Sequence, residues 1–294
     1  MTLLLSVIFI FFSCKSTPDL APVDAFDLLS TDAALYMTVP VQANQEFAAS
    51  AIQKVAKVAE SDAKKIIERL DFAYISIDSK NELQLSAGGN IPTTLAGLAL
   101  TEKNGWTAGA VENQAVYTQK QTAYQLCLPS SSNAFLSRDI SPMAKKFNQI
   151  AYGGGEKKSA ENDLSATVSE NREKLLSETL DAYQFKFLHE NLGADIMLYS
   201  PNPPVFLRNF LGGVEVGVPV SSLYAKLSKY EEYSGGFNVT LVLNLNDART
   251  IKAVAASMKL AFFPIAVKIE QTGEKQLTIT DLPVSQRQLL SMIK

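Results

Sequence analysis

The sequence predicts an α+β fold: two similar antiparallel-sheet units, each with helices packed on its sheet, preceded by a lipoprotein signal peptide. Three observations predict it. Strand-like and helical runs follow one another in the same order in both halves, a glycine-rich charged run separates the halves, and an N-terminal apolar run stops at a cysteine. The organisation that follows is a signal peptide over 1–13 and a lipidated tether over 14–24. A first α+β unit spans 25–150, a linker and connecting helix 151–193, and a second unit 194–294.

Residues 3–12 are apolar apart from Ser6. That length is about half of the roughly 20 residues a bilayer-spanning helix needs, and it fits the apolar region of a secretory signal. Phe11, Phe12 and Ser13 precede Cys14, a bulky apolar residue and then a small one, which resembles a relaxed bacterial lipobox. That resemblance implies a diacylglycerol on the Cys14 sulfur, cleavage before Cys14 and acylation, for instance with palmitate, of the new amino group. Two or three acyl chains at about 0.8 kcal/mol per buried methylene anchor a protein stably on a membrane. Lys15, Ser16, Thr17, Pro18, Asp19, Pro22 and Asp24 then read as a solvated tether. No Lys or Arg precedes the apolar run, which points to a translation start upstream of Met1.

In the first unit, residues 33–41 read as a strand and 45–70 as one long amphipathic helix, with Phe47, Ala51, Val55, Ala59, Ala63, Ile66 and Leu70 at helical spacing. "DFAYISID" and "ELQLSAG" form a hairpin across Ser79, Lys80 and Asn81. A helix starts at Thr93 and closes at Asn104–Gly105, where Trp106 seals its end. "QAVYTQ" and "AYQLCLP" are strands, and residues 130–132 open a helix around Phe135 and Leu136. The linker "YGGGEKKSAEND" (152–163) leads into a helical stretch over 164–191.

The second unit repeats the order. "ADIMLYS" is a strand, "PVFLRNFL" a helix and "SLYAKLSKYEEY" a strand leading into "GFNVTLVLNLN", whose Phe237, Val239, Leu241, Leu243 and Leu245 alternate with polar residues. Asp247 caps a helix through Lys259, a hairpin turns at Thr272–Gly273, and the last helix starts after Ser285. "CLPSSSNAFLS" and "DLPVSQRQLLS" match locally, which supports an internal pseudo-repeat.

The signal ending at Cys14, the segment "DAALYMTVPV", the run "LQLSAGGNIPTTLAGLAL" ahead of "GW", and "LPSSS" together resemble a family of treponemal and related spirochaetal lipoproteins. The resemblance covers most of the chain after Cys14. It implies lipid attachment and an envelope location, and it brings no catalytic residues with it.

Chemistry is sparse. The formal charge is −3 with no basic stripe, so nucleic acid is not an expected partner. With 47% apolar and 19% charged residues the chain can bury a sizeable core, which excludes wholesale disorder. His189 is the only histidine and reads as a surface or structural residue, which excludes the usual zinc sites and a serine–histidine triad. Cys127 reads as a buried structural thiol. Gly88–Gly89 and residues 153–155 lack the Lys-Ser/Thr of a phosphate loop. The acids of "KYEEYSGG" read as a solvated face, and "YSPNPPVF" as an exposed loop of the kind that binds partners.

These features predict no catalytic, cofactor or metal residues and one modified residue, Cys14. The expected function is a noncatalytic, lipid-anchored envelope protein, facing the periplasm, that binds or scaffolds another envelope component. Two alternatives stand beside it. One is a carrier of an apolar ligand or lipid between the two sheets. The other is a hydrolase using carboxylates alone, Asp71 or Asp78 with Glu82.

Overall fold

A computed structural model describes residues 20–93, 100–153, 173–190, 193–204, 219–230, 235–263 and 265–292. Cys14, residues 94–99 of the helix expected from Thr93, all of 154–172 and most of "PVFLRNFL" lie outside these residues.

The first half holds β1 (Leu35–Pro40), α1 (Gln45–Ala56), α2 (Glu60–Ile67), β2 (Leu70–Ile77), β3 (Leu83–Gly89), β4 (Trp106–Val111), β5 (Gln114–Gln119), β6 (Gln125–Cys127), β7 (Asn133–Ser137) and α3 (Ser141–Gly153). Two single turns, α4 (Leu176–Thr179) and α5 (Ala182–Phe185), and a π turn over Lys186–Glu190 connect to the second half. That half holds β8 (Ile196–Ser200), β9 (Val220–Tyr230), β10 (Gly236–Leu245), α6 (Ile251–Ala261), β11 (Lys268–Gly273), β12 (Gln276–Ser285) and α7 (Gln286–Ser291).

The strands form one 12-stranded sheet in the order β11-β12-β10-β9-β8-β1-β2-β3-β7-β6-β5-β4, antiparallel throughout. Two separate sheets were expected, and this corrects that expectation. β1 pairs with β8 in the register Tyr36↔Tyr199, Met37↔Leu198 and Thr38↔Met197, which fuses the halves. The reason is burial: every residue of β1 and β8 is buried, so each is an interior strand covered on both faces. Asn44 reinforces the join by donating through Nδ2 to Pro40 O and Ala194 O, both at 2.9 Å. Ser200 Oγ donates to Ala34 O at 2.7 Å.

Alternation sorts the side chains. Met37, Val39, Leu198, Leu223, Leu241 and Leu243 face α1, α6 and α7, which contribute Phe47, Val254, Met258 and Leu289 to that core. Tyr36, Tyr74, Tyr199 and Phe135 face the other way, against the 3-10 turn Ala25–Leu28, α3 and the π turn, through Phe26, Met143, Phe147 and Leu188.

Several local expectations change. The single helix over 45–70 is two, because Lys57 adopts a left-handed conformation (φ 54°) and closes α1 with its N–H on Gln53 O. Leu70 begins β2 instead of ending a helix. Phe135 and Leu136 lie in β7, not in a helix, paired on both sides by β3 and β6. Ser130 Oγ accepts from Asn133 N at 3.1 Å, so the serine run makes a turn that imitates a helix cap. The matching run in the second half does cap a helix, since Ser285 and Gln288 form a capping box on α7. The two similar segments therefore occupy different structures. The β11–β12 turn falls at Glu274–Lys275, two residues beyond the expected place. The expected long helix after the linker is, over its described part, two short pieces: the single turn α4, and α5 running directly into the π turn.

Leu241 sits mid-way along β10 and is 4% exposed. Leu241→Ala is expected to cost about 2–5 kcal/mol. Leu241→Asp adds a buried, unpaired charge and is expected to exceed the stability of a typical domain, about 5–15 kcal/mol. Urea titration of both variants checks this, and a folded aspartate variant with a near-normal midpoint would contradict the placement of this core.

Candidate functional site

The residues ahead of the first turn meet the body at a small nest of rings. The π turn is pinned to β1 because Thr38 Oγ1 donates to Leu188 O at 2.6 Å, and Leu188 is fully buried. This holds the neighbouring His189 ring over the sheet. Its plane stacks on Phe185 (4.8 Å) and Tyr74 (5.9 Å), and Phe26 meets it edge-on at 5.1 Å. His189 Nε2 lies 2.7 Å from Asp24 Oδ2. Asp24 also accepts from Phe26 N at 2.9 Å through Oδ1, which caps the Ala25–Leu28 turn.

Of the surface and structural readings of His189 the structural one holds, because its side chain is only 23% exposed and has an acidic partner. One expectation needs correcting: residues 20–24, read as the end of a solvated tether, are not free chain. Ala21 N donates to Ala151 O at 3.2 Å, and Asp24 is tied to His189. Asp24 looked like part of a solvated spacer because its partner lies 165 residues away.

The charges respond to this geometry. The hydrogen bond that His189 donates to Asp24 raises the His189 pKa above 6.5 against an opposing effect of burial. Burial pushes Asp24 upward, but the bonds from His189 and Phe26 N outweigh it and the pKa falls below 3.8. This pairing orients a ring. It presents no nucleophile and no open metal position.

The other candidates are committed elsewhere. Burial pushes the Cys127 thiol up to about 12, so at neutral pH it is not a thiolate nucleophile. Asp78 Oδ1 accepts from Lys80 N and Glu82 N, both at 2.8 Å, to build the β2–β3 turn. Glu82 faces Arg138 at 3.4 Å, and Asp71 is exposed at the start of β2. The structure does not bring these three carboxylates together in a cleft. Among the described residues no group of three His, Cys, Asp or Glu is arranged to hold a metal. Gly89 lacks a side chain for a packing reason, since a Cβ there would sit 2.1 Å from Arg69 O. Trp106 is 2% exposed and starts β4, with its N–H on Thr101 O. "YSPNPPVF" is described only as far as residue 204, and Glu231 and Glu232 of "KYEEYSGG" fall outside the described residues.

Two surface features stand out. An open cleft of about 600 Å³ is lined by Lys54, Gly235, Ser285, Gln286, Arg287, Leu290 and Ser291. At the far end of α6, Leu260 is 79% and Phe263 82% exposed, beside Ile265 at 43%. Ile251, Val254, Met258 and Phe262 point into the core, so the outer face carries Lys252, Lys259, Leu260 and Phe263. No Asp or Glu occurs between Ala248 and Ile269. Sequence reading traced this helix by its cap and missed its apolar outer end.

A family model described as "Outer membrane-associated lipoprotein TP0453" matches residues 20–290. The chain belongs to that family. Among solved structures it is similar to crystal form I of TP0453, with TM-score 0.64 and 18% identity, covering 93% of this chain and 97% of that one. Crystal forms III and IV of TP0453 give TM-scores of 0.59 and 0.57, also at 18% identity over 92% of this chain. At that identity the likeness speaks for the fold. Comparison with curated proteins gives no match. The lipoprotein resemblance read from the sequence thus holds, and the family is associated with the outer membrane. No helix among the described residues is long and apolar enough to cross a membrane.

The raised His189 pKa means the folded protein holds this proton more tightly than the unfolded chain. That stabilisation is complete below pH 6.5 and is lost as pH rises through the raised value. Asp24, held low, contributes above pH 3.8 and fades as pH falls through its lowered value. His189→Gln is therefore expected to cost about 0.5–1 kcal/mol, a modest figure because the pair is partly exposed. The gap in melting temperature between wild type and variant should be widest between pH 3.8 and pH 6.5 and should shrink above. Parallel melting curves across the pH range would contradict the pairing.

Proposed function

We propose that the protein is a noncatalytic lipoprotein, anchored by acyl chains on Cys14 after removal of residues 1–13, that stands on the periplasmic side of the outer membrane and binds there. The observation that carries the reading is the outer end of α6. Large apolar side chains cost free energy when left in water, and Leu260, Phe263 and Ile265 gather at one place. Lysines flank them and carboxylates are absent, the chemistry of a helix resting in an anionic headgroup layer. The occupant of this surface is the bilayer to which Cys14 tethers the chain, and the binding role is a scaffold held flat by two contacts.

The noncatalytic part of the reading is supported by the commitments described above: Asp78 to a turn, Glu82 to Arg138, His189 to Asp24, and Cys127 to the core. The carrier alternative asks for an enclosed apolar cavity, and the cleft beside α7 is open to solvent. We also read the halves as a duplicated unit. The strand order β1-β2-β3-β7-β6 corresponds to β8-β9-β10-β12-β11, with the β4–β5 hairpin added to the first half. The local sequence match between the halves does not carry this, because it falls on non-corresponding elements.

Fractionation tests the anchor. Cys14→Ser is expected to move the protein to the soluble fraction or to leave an uncleaved precursor, and absence of palmitate label on the wild type would overturn the anchor. For the second contact, full-length Cys14→Ser protein is titrated with phosphatidylglycerol vesicles. Leu260→Asp with Phe263→Asp is expected to lower affinity at least about tenfold, since burying one large apolar side chain contributes about 1.5–3 kcal/mol. Unchanged affinity would overturn the membrane role of α6.

A further inference from the structure

The two edges of the sheet are built differently. β11, at one end, carries exposed Lys268 and Glu270, a register shift between Gln271 and Gly273, and an ion pair from Lys268 Nζ to Asp281 Oδ2 at 3.0 Å. Charges and irregularities of this kind keep a foreign strand from adding to an edge. β4, at the other end, has none of them. Thr107, Ala108, Gly109 and Ala110 are all exposed, the strand contains no charged residue and no proline, and it pairs with β5 without a break from Trp106↔Gln119 to Val111↔Gln114.

The hairpin turn shows which backbone groups face outward. Glu112 and Asn113 have φ of 49° and 63°, the two-residue turn that makes its flanking residues, Val111 and Gln114, a hydrogen-bonded pair. Alternation along β4 then aims the N–H and C=O groups of Ala108 and Ala110 away from β5. Trp106 is in the same phase, and its N–H is taken by Thr101 O at 3.0 Å. Among the described residues nothing takes the corresponding groups of Ala108 and Ala110.

We propose that β4 is the pairing edge for a second copy of this chain, added antiparallel about a two-fold axis through Gly109. The segment is self-complementary in that register. Ala108 faces Ala110, Thr107 faces Val111, and Gly109 faces its own equivalent at the close, non-hydrogen-bonded position of about 4.5 Å between Cα atoms. Four backbone hydrogen bonds form and no like charges meet across the edge. The flanks agree as well, because the antiparallel arrangement brings Glu112 of each copy toward the Lys103 end of the other. One continuous sheet then runs through both copies. So short an edge buries less than the roughly 1,200 Å² of a standard interface, so the dimer is weak and concentration-dependent.

Disulfide trapping of full-length protein, in membranes and in concentrated detergent solution, tests the register. A Cβ at Gly109 meets no atom within 4 Å, so Gly109→Cys is tolerated, and Cys127 is buried; wild type controls for Cys14. Mild oxidation is expected to give a covalent dimer with Gly109→Cys. Ala108→Cys alone should give little, because its equivalents lie beyond the roughly 7 Å Cα limit for a disulfide, and mixing it with Ala110→Cys should restore the dimer. Adding Ala108→Pro to Gly109→Cys removes an outward N–H without touching the β5 ladder. That should abolish most of the cross-link while leaving the melting temperature near normal. The proposal is overturned if Gly109→Cys stays monomeric, if Ala108→Cys cross-links equally well, if the proline has no effect, or if the trapped species contains a different protein.

Discussion

Three residue pairs between β1 and β8 hold this architecture together. Every strand on the β1 side of that seam, β1 through β7, belongs to the first half of the chain, and every strand on the β8 side, β8 through β12, to the second. Without that seam each half would expose a central strand whose residues are buried on both faces. The seam also lines up three tyrosines, Tyr36, Tyr199 and Tyr224, across adjacent strands, with Tyr36 and Tyr199 stacked at 6.3 Å and Tyr74 on the same face opposite Thr38. Burial pushes the Tyr36 and Tyr224 hydroxyls up to about 12, so they stay neutral on the face that the π turn and α5 cover. Gln184 Nε2 donates to Tyr199 OH at 2.9 Å, which fastens α5 to the same face.

The seam also determines how the residues ahead of the first turn are received. Thr38 lies in β1, and its hydroxyl positions Leu188, hence His189, hence Asp24. Asp24 is thereby held by an ion pair with a ring that makes three aromatic contacts, and it caps the Ala25–Leu28 turn. Lys146 adds to this. Its buried ammonium donates to Leu29 O just beyond the turn, and burial lowers its pKa.

Much was legible before any coordinates. The alternation of Phe237 through Leu245 in β10, the hairpin around Lys80, the closing Gly105 and the Ser285 cap were all readable because each rests on interactions within a few residues. The failures share the opposite property. Phe135 and Leu136 looked helical because Ser130 bonds Asn133 as a cap does, and only the flanking strands β3 and β6 make the segment extended. Lys57 broke a helix whose apolar spacing ran through it unbroken.

The sequence by itself determined the class of the protein: an apolar run ending at Cys14, a mixture of strands and helices, and the family that the chain belongs to. Those features depend on composition and short-range pattern, which a chain carries whatever it packs against. The tertiary structure decided the rest. It alone joined two expected sheets through β1 and β8, brought His189 to Asp24 across 165 residues, and left Leu260 and Phe263 outside while Val254 and Met258 went in. It also decided which strands are edges, and so that β4 is bare while β11 is guarded. Pairing partners far apart in the chain leave no periodic signal, and exposure depends on what the remaining chain covers.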